Sequence, residues 1–185
     1  MEALIQKLSL IHPISKEAED LLRSLCHPIT LKKGDFLVRE GDTLQHSYFI
    51  EEGLIRMYYL REGQEFIRQF FFEGGLITDL VSALLKIPTR LHMDALEDTR
   101  LIAIPISIME QYKVFKNHAM EQGLFHVSNR MASIFLDSPE EKYQQLLNER
   151  PKVIQRIPQY MIAAYIGVTP EGLSRIKRRM HKNAE

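Results

Sequence analysis

Near the C-terminus of this 185-residue chain, Glu171, Ser174 and Arg175 recur at the spacing of one helical face. An arginine there can donate two parallel hydrogen bonds to O6 and N7 of guanine, and a carboxylate one turn earlier can accept from N4 of cytosine. Ser174, between them, can touch either a base or a phosphate. Lys177, Arg178 and Arg179 are expected at the rear of the same helix, where phosphates are better partners than base edges. Each of these charges has a plainer reading as a solvated side chain. For Glu171 that reading includes helix stabilisation, because an acid in the first turn meets the positive end of the dipole.

The segment QYMIAAYIGVTPEGLSRIKRR must position that face. Ile162 and Ile166 share a helical face, Gly167 supplies a sharp turn, and Val168, Leu173 and Ile176 complete a small core. Ala163 keeps the crossing of the two helices narrow. Thr169 caps the second helix, with Pro170 at its first position. The pattern predicts a helix-turn-helix over residues 158–181, with Thr169, Glu171, Ser174, Arg175, Arg178 and Arg179 as candidate DNA-binding residues.

The whole chain carries no formal net charge, yet from Arg150 onward eight lysines and arginines face two acids. The preceding part is correspondingly acidic. A basic piece on an acidic body suits a polyanion-binding module joined to a sensing or assembly domain. The single cysteine, Cys26, excludes an internal disulfide and a four-cysteine zinc or iron-sulfur site supplied by one chain, and reads as a small buried hydrophobe. No nucleophile paired with a base, metal-ligand spacing or phosphate loop stands out, so catalysis is not expected. The N-terminus MEALIQKLSL lacks a basic region leading into an apolar run, and no apolar stretch approaches the ~18 residues that span a bilayer. A cytoplasmic protein without membrane contact is the expectation.

Two short helices open the chain, the second capped by Ser15 with Leu21, Leu22 and Leu25 on its apolar face. Between Ile29 and Phe72 the segments ITLKK, FLVRE, SYFIEE, LIRMYYLRE and EFIRQFFF are β-rich and separated by Gly34-Asp35, Gly41-Asp42, Gly53 and Glu62-Gly63. Short strands with glycine turns predict an antiparallel roll or barrel. DLVSALLK (79–86) reads as a helix inserted into it, and RLIAIP (100–105) as the last strand. Met120, Leu124, Val127, Met131 and Ile134 then alternate steps of four and three, the seam of a long helix at about 113–136. Phe125, Ala132 and Phe135 beside the seam supply more apolar surface than docking on the roll requires, so parallel dimerisation through this helix is expected. Ser138 as N-cap, Pro139 at the first helical position and Glu140-Glu141 behind it restart a helix, making Leu136–Ser138 the expected hinge.

GDFLVREGD (34–42), EEGLIRMYY (51–59), DALED (94–98) and IGVTPEGLSRIKRR (166–179), taken in order, resemble the Crp/Fnr superfamily of bacterial regulators over essentially the whole chain. The resemblance implies an α+β architecture: an N-terminal double-stranded β-helix, a jelly roll of cyclic-nucleotide-binding type, with the dimerisation helix in residues 1–136, and a helix-turn-helix DNA-binding domain in 137–185. It implies a Glu and an Arg as base readers, matching Glu171 and Arg175, although the arginine that commonly precedes that Glu is here Pro170. Family members that bind cyclic AMP carry Gly-Glu at the start of the inserted helix for the ribose and an Arg ten residues later for the phosphate. The matching positions read Thr78-Asp79 and Thr89.

Thr78, Asp79, Leu80, Thr89 and Arg90 are therefore the candidate effector residues, in a degenerate pocket. Asp79 keeps a carboxylate, Thr89 carries no charge, and Arg90 is expected on the opposite face because neighbouring side chains alternate in an extended segment. A buried phosphate without its bidentate partner loses several kcal/mol, so cyclic AMP is not expected to bind tightly. The cofactor is unknown. An iron-sulfur cluster of the Fnr type lacks its four cysteines, and His92 reads as structural rather than as a haem ligand. The family's DNA-binding domain usually continues into a two-stranded wing; none is expected in the residues up to Glu185, leaving some phosphate contacts to be supplied elsewhere or lost.

The leading expectation is a homodimeric regulator partnered by double-stranded DNA, with RNA polymerase and an unidentified small-molecule effector as further candidate partners. A ligand-sensing or protein-interaction module with a decayed DNA-binding domain is the alternative.

Overall fold

The computed structural model describes residues 1–182. Two helices, α1 (Glu2–Ser9) and α2 (Lys16–Leu25), precede eight strands: β1 (His27–Leu31), β2 (Phe36–Val38), β3 (His46–Glu52), β4 (Leu54–Arg61), β5 (Gln64–Phe72), β6 (Leu76–Ile77), β7 (His92–Ala95) and β8 (Thr99–Pro105). Helix α3 (Leu80–Leu85) is inserted between β6 and β7. Six helices follow: α4 (Ile106–Gln111), α5 (Lys113–Leu136), α6 (Pro139–Glu149), α7 (Pro151–Arg156), α8 (Gln159–Ile166) and α9 (Pro170–Lys182). Strands β6 and β7 and helices α4 and α7 lie outside the segments singled out by β-rich composition and helical periodicity.

The strands form two antiparallel four-stranded sheets, ordered β1-β8-β3-β6 and β2-β7-β4-β5, that face each other as a jelly roll. Strands β3 and β8 are buried along most of their length because both of their faces are covered. Their inward residues Tyr48, Ile50, Leu101 and Ala103 meet Ile55, Met57 and Met93 of the other sheet. Their outward residues Phe49, Ile102 and Ile104 lie under Leu4, Leu8 and Leu22 of the opening helices. A strand covered on both sides needs apolar residues at consecutive positions, which removes the alternation expected of a half-exposed strand. The outer face of β4 and β5, carrying Leu54, Tyr58, Ile67 and Phe70, joins one apolar core with Tyr143, Leu146, Val153, Ile157, Met161 and Ile162 of the C-terminal helices.

Local chemistry sets the element ends. The Ser15 hydroxyl accepts from Ala18 N–H at the start of α2. At α6 the Ser138 hydroxyl accepts from Glu141 N–H (3.3 Å) while the Glu141 carboxylate accepts from Ser138 N–H (2.7 Å), a complete capping box. Gly53, between β3 and β4, has φ +102° and no room for a side chain: a Cβ would stand 2.4 Å from Thr99 Oγ1 and 2.7 Å from the Asp98 carbonyl oxygen. Burial pushes the Cys26 thiol up to about 11. Among the described residues no helix is long and apolar enough to cross a membrane, and no three His, Cys, Asp or Glu side chains gather as metal ligands.

Candidate nucleic-acid interface and effector site

Helices α8 and α9 meet at Gly167, whose left-handed φ of +82° ends α8 with its N–H on the carbonyls of Ala163 and Ala164. The Thr169 hydroxyl accepts from Gly172 N–H at 3.1 Å and so caps α9. Leu173 and Ile176 are buried with Ile162, Ala163 and Ile166. This anchoring leaves Glu171, Ser174, Arg175, Arg178, Arg179 and Lys182 exposed. Arg175, Arg178, Arg179 and Lys182 line one shallow depression of about 270 Å³.

Arg178 and Arg179 therefore share a face with Arg175 instead of standing behind it. Their steps of three, one and three residues are those of a single helical stripe, a signal present in the sequence but not used there. Lys177 lies elsewhere and donates to Gln159 Oε1. Arg179 is also paired with Glu140 of α6. The Glu171 carboxylate is held below its ordinary range by its own backbone N–H and the Thr169 hydroxyl, with Arg175 adding a favourable field. A cationic stripe with one acid at its N-terminal end can meet phosphates along its length and base edges near its start.

In the roll, Asp79 and Thr89 are both buried. The Thr89 hydroxyl donates to Asp79 Oδ2 at 2.7 Å and accepts from Leu91 N–H at 3.1 Å. Asp79 is the N-cap residue of α3, but its side chain does not cap the helix. Thr78 Oγ1 is buried without a hydrogen-bond partner. Leu80 packs on α5, its Cδ1 2.6 Å from where a Cβ on Gly123 would stand. Arg90 is exposed. His92 stacks on Tyr58 with ring centroids 5.3 Å apart, and its Nδ1 accepts from Glu40 N–H at 3.4 Å.

Along α5 the seam residues are open to solvent in the single chain: Met120 44%, Leu124 70%, Val127 41%, Met131 53% and Ile134 54% exposed. Phe125 and Phe135 beside them are exposed as well. The seam is thus left largely uncovered by the chain's own roll, and the buried side chain of this helix is Phe115.

Sequence reasoning missed the groups that tie the C-terminal helices to the roll. Arg156 of α7 reaches Glu73 and Glu97, which lie in two different turns of the roll. Arg150 donates to the Phe70 carbonyl oxygen at 2.7 Å, and the Arg130 guanidinium lies 4.1 Å above the Tyr165 ring. These partners are far apart in the chain, and nothing in the local sequence pairs them.

A family model described as the cyclic nucleotide-binding domain matches residues 28–113. No curated protein matches the sequence. Among solved structures, FixK2 from Bradyrhizobium japonicum is similar at 20% identity and a TM-score of 0.73, covering 86% of this chain and 86% of that one. A CRP/FNR-family transcriptional regulator from Thermus thermophilus aligns at 18% identity and a TM-score of 0.67, covering 85% of this chain and 87% of its own. The catabolite activator protein of Thermus thermophilus aligns at 20% identity and a TM-score of 0.57, covering 95% and 87%. Residues 28–113, most of the roll, thus match the cyclic nucleotide-binding domain model, and the chain as a whole has the fold seen in solved Crp/Fnr-type transcription regulators.

Proposed function

We propose that the protein is a homodimeric, sequence-specific DNA-binding transcription regulator of Crp/Fnr type. The observation that carries this reading is the exposed stripe of Arg175, Arg178, Arg179 and Lys182 on α9, presented by a helix anchored through Leu173 and Ile176. Glu171 and Arg175 read bases, Ser174 and Thr169 sit at the edge of the groove, and Arg178 and Arg179 hold phosphates. Residues 137–185 form the DNA-binding domain, and the exposed seam of α5 pairs two copies so that their α9 helices enter successive major grooves.

The roll in this reading does not take cyclic AMP. The positions that would hold ribose and phosphate are an acid and a hydroxyl bonded to each other, and the adjacent cation, Arg90, is exposed. A nucleotide phosphate would have to break that bond and would find a hydroxyl, not a guanidinium, at position 89.

Selection of bound fragments from random DNA tests the reading. The expected outcome is a near-palindromic site with half-sites about one helical turn apart. Recovery of no enriched sequence, together with no salt-dependent binding to DNA upstream of the chain's own operon, overturns it.

A further inference from the structure

The attachment between the roll and the C-terminal helices has an unusual chemistry for a contact that a two-residue linker, Asp137-Ser138, would leave free to move. Arg156, the last residue of α7, donates to both oxygens of Glu97, from Nε at 3.1 Å and Nη2 at 2.6 Å. Its Nη1 donates to Glu73 Oε2 at 2.9 Å, and Nη2 reaches the Gly53 carbonyl oxygen at 3.4 Å. Lys152, one turn earlier, donates to the same Glu73 oxygen at 3.2 Å. Glu73 Oε1 in turn accepts from Gly53 N–H at 3.3 Å.

Three separate turns of the roll, at Gly53, Glu73 and Glu97, thus converge on one guanidinium. A lone ion pair on a surface contributes little, whereas a bidentate fork engaged by two carboxylates and partly withdrawn from water belongs to the minority that do. Around it lies the continuous apolar core of Phe70, Tyr58, Ile67 and Leu54 with the C-terminal helices. In this docked arrangement the reading face of α9 stays exposed, so docking orients that face without covering it.

We propose that Arg156, Glu73 and Glu97 form a clasp that holds the DNA-binding domain in its reading orientation on the roll, so that operator affinity depends on side chains remote from the DNA. The inference rests on the DNA-binding function proposed above. Two recognition helices held at a fixed separation bind a two-half-site operator without first losing the freedom of the linker, and releasing the clasp restores that cost. Glu73 stands just before β6, which leads directly into Thr78 and Asp79, so a displacement of α3 would reach the clasp through a two-residue strand. Arg156, Glu73 and Glu97 act here as positioning residues.

The test uses the full chain carrying both Glu73→Gln and Glu97→Gln. Amide hydrogen exchange across β5, α7 and α8 reads docking without DNA, and fluorescence polarisation reads affinity for the selected operator and for random-sequence DNA of the same length. Charge alone makes a clear counter-prediction: removing two negative charges should tighten binding to any DNA. The clasp predicts faster exchange at the interface, operator affinity weakened by about tenfold, and random-sequence affinity unchanged or higher. Operator affinity unchanged or tightened in the double variant overturns the clasp. Should the double variant fail to fold, Arg156→Lys keeps the charge and loses the fork, with the same loss of operator affinity expected and the same outcome decisive. A wild-type chain that binds neither DNA overturns the functional reading itself, and the clasp's role in it, whatever the exchange data show.

Discussion

The hydroxyl of Thr89 is spent on Asp79: its Oγ1 donates to Asp79 Oδ2 at 2.7 Å, and both side chains are buried. These two positions, ten residues apart, hold each other. Thr89→Val keeps the shape and removes the donor. It should destabilise the roll by about 1–3 kcal/mol, since it leaves a buried carboxylate without this partner. Urea titration followed by circular dichroism measures the change, and a shift below a few tenths of a kcal/mol would show the bond to be dispensable.

Arg175→Ala is expected to cost about 1–3 kcal/mol at the selected operator and to relax base preference at one position of each half-site. Arg178→Ala, by contrast, should weaken binding to all sequences alike and lower the slope of affinity against salt by about one. Polarisation titrations at several salt concentrations separate the two. Equal effects of both variants on all sequences would remove Arg175 from base reading.

Leu124 and Met131 are 70% and 53% exposed on α5. Replacing both with Glu should convert a dimer to a monomer in sedimentation velocity while leaving the monomer's own fold stable to within about 0.5 kcal/mol, as for surface positions elsewhere. An unchanged sedimentation coefficient would show that this seam does not pair two copies.

Glu73 is held down to about 2, chiefly by its hydrogen bond from Arg156. Its pKa in the folded chain therefore lies below its ordinary value of 4.5, so its stabilising contribution is complete above that value and is lost as pH falls toward 2. Denaturant titrations between pH 5 and about 2.5 should show stability falling more steeply in the wild type than in Glu73→Gln. Parallel pH profiles for the two would mean that Glu73 does not feel Arg156 in solution.

Two glycines with positive φ should respond differently to alanine. At Gly167 (φ +82°) a Cβ meets nothing within 4 Å, so only the left-handed backbone opposes it, at about 1–2 kcal/mol. At Gly53 the Cβ would run into Thr99 Oγ1 and the Asp98 backbone, so Gly53→Ala should cost considerably more. Comparable thermal midpoints for the two variants would contradict this.

Features whose causes lie within a few residues are legible in the chain without its fold. Ser15, Ser138 and Thr169 announce helix starts by the hydrogen bonds their hydroxyls accept. The alternating steps from Met120 to Ile134 mark one long helix, and α5 spans Lys113–Leu136. Thr78, Asp79 and Thr89 could be named as departures from a family pattern. That Asp79 and Thr89 bond to each other could not, because the contact depends on how α3 and the segment after it fold back.

The remaining features arise from contacts between distant parts of the chain. Strand β6 is two residues long and carries no period, and β7 is recognisable only through its pairing with β2 and β4. The partnership of Arg156 with Glu73 and Glu97 joins residues 83 and 59 positions apart. Local propensities and caps act between neighbours, whereas an ion pair of that reach exists only after the sheets have brought three turns to one end of the roll and the C-terminal helices have docked there.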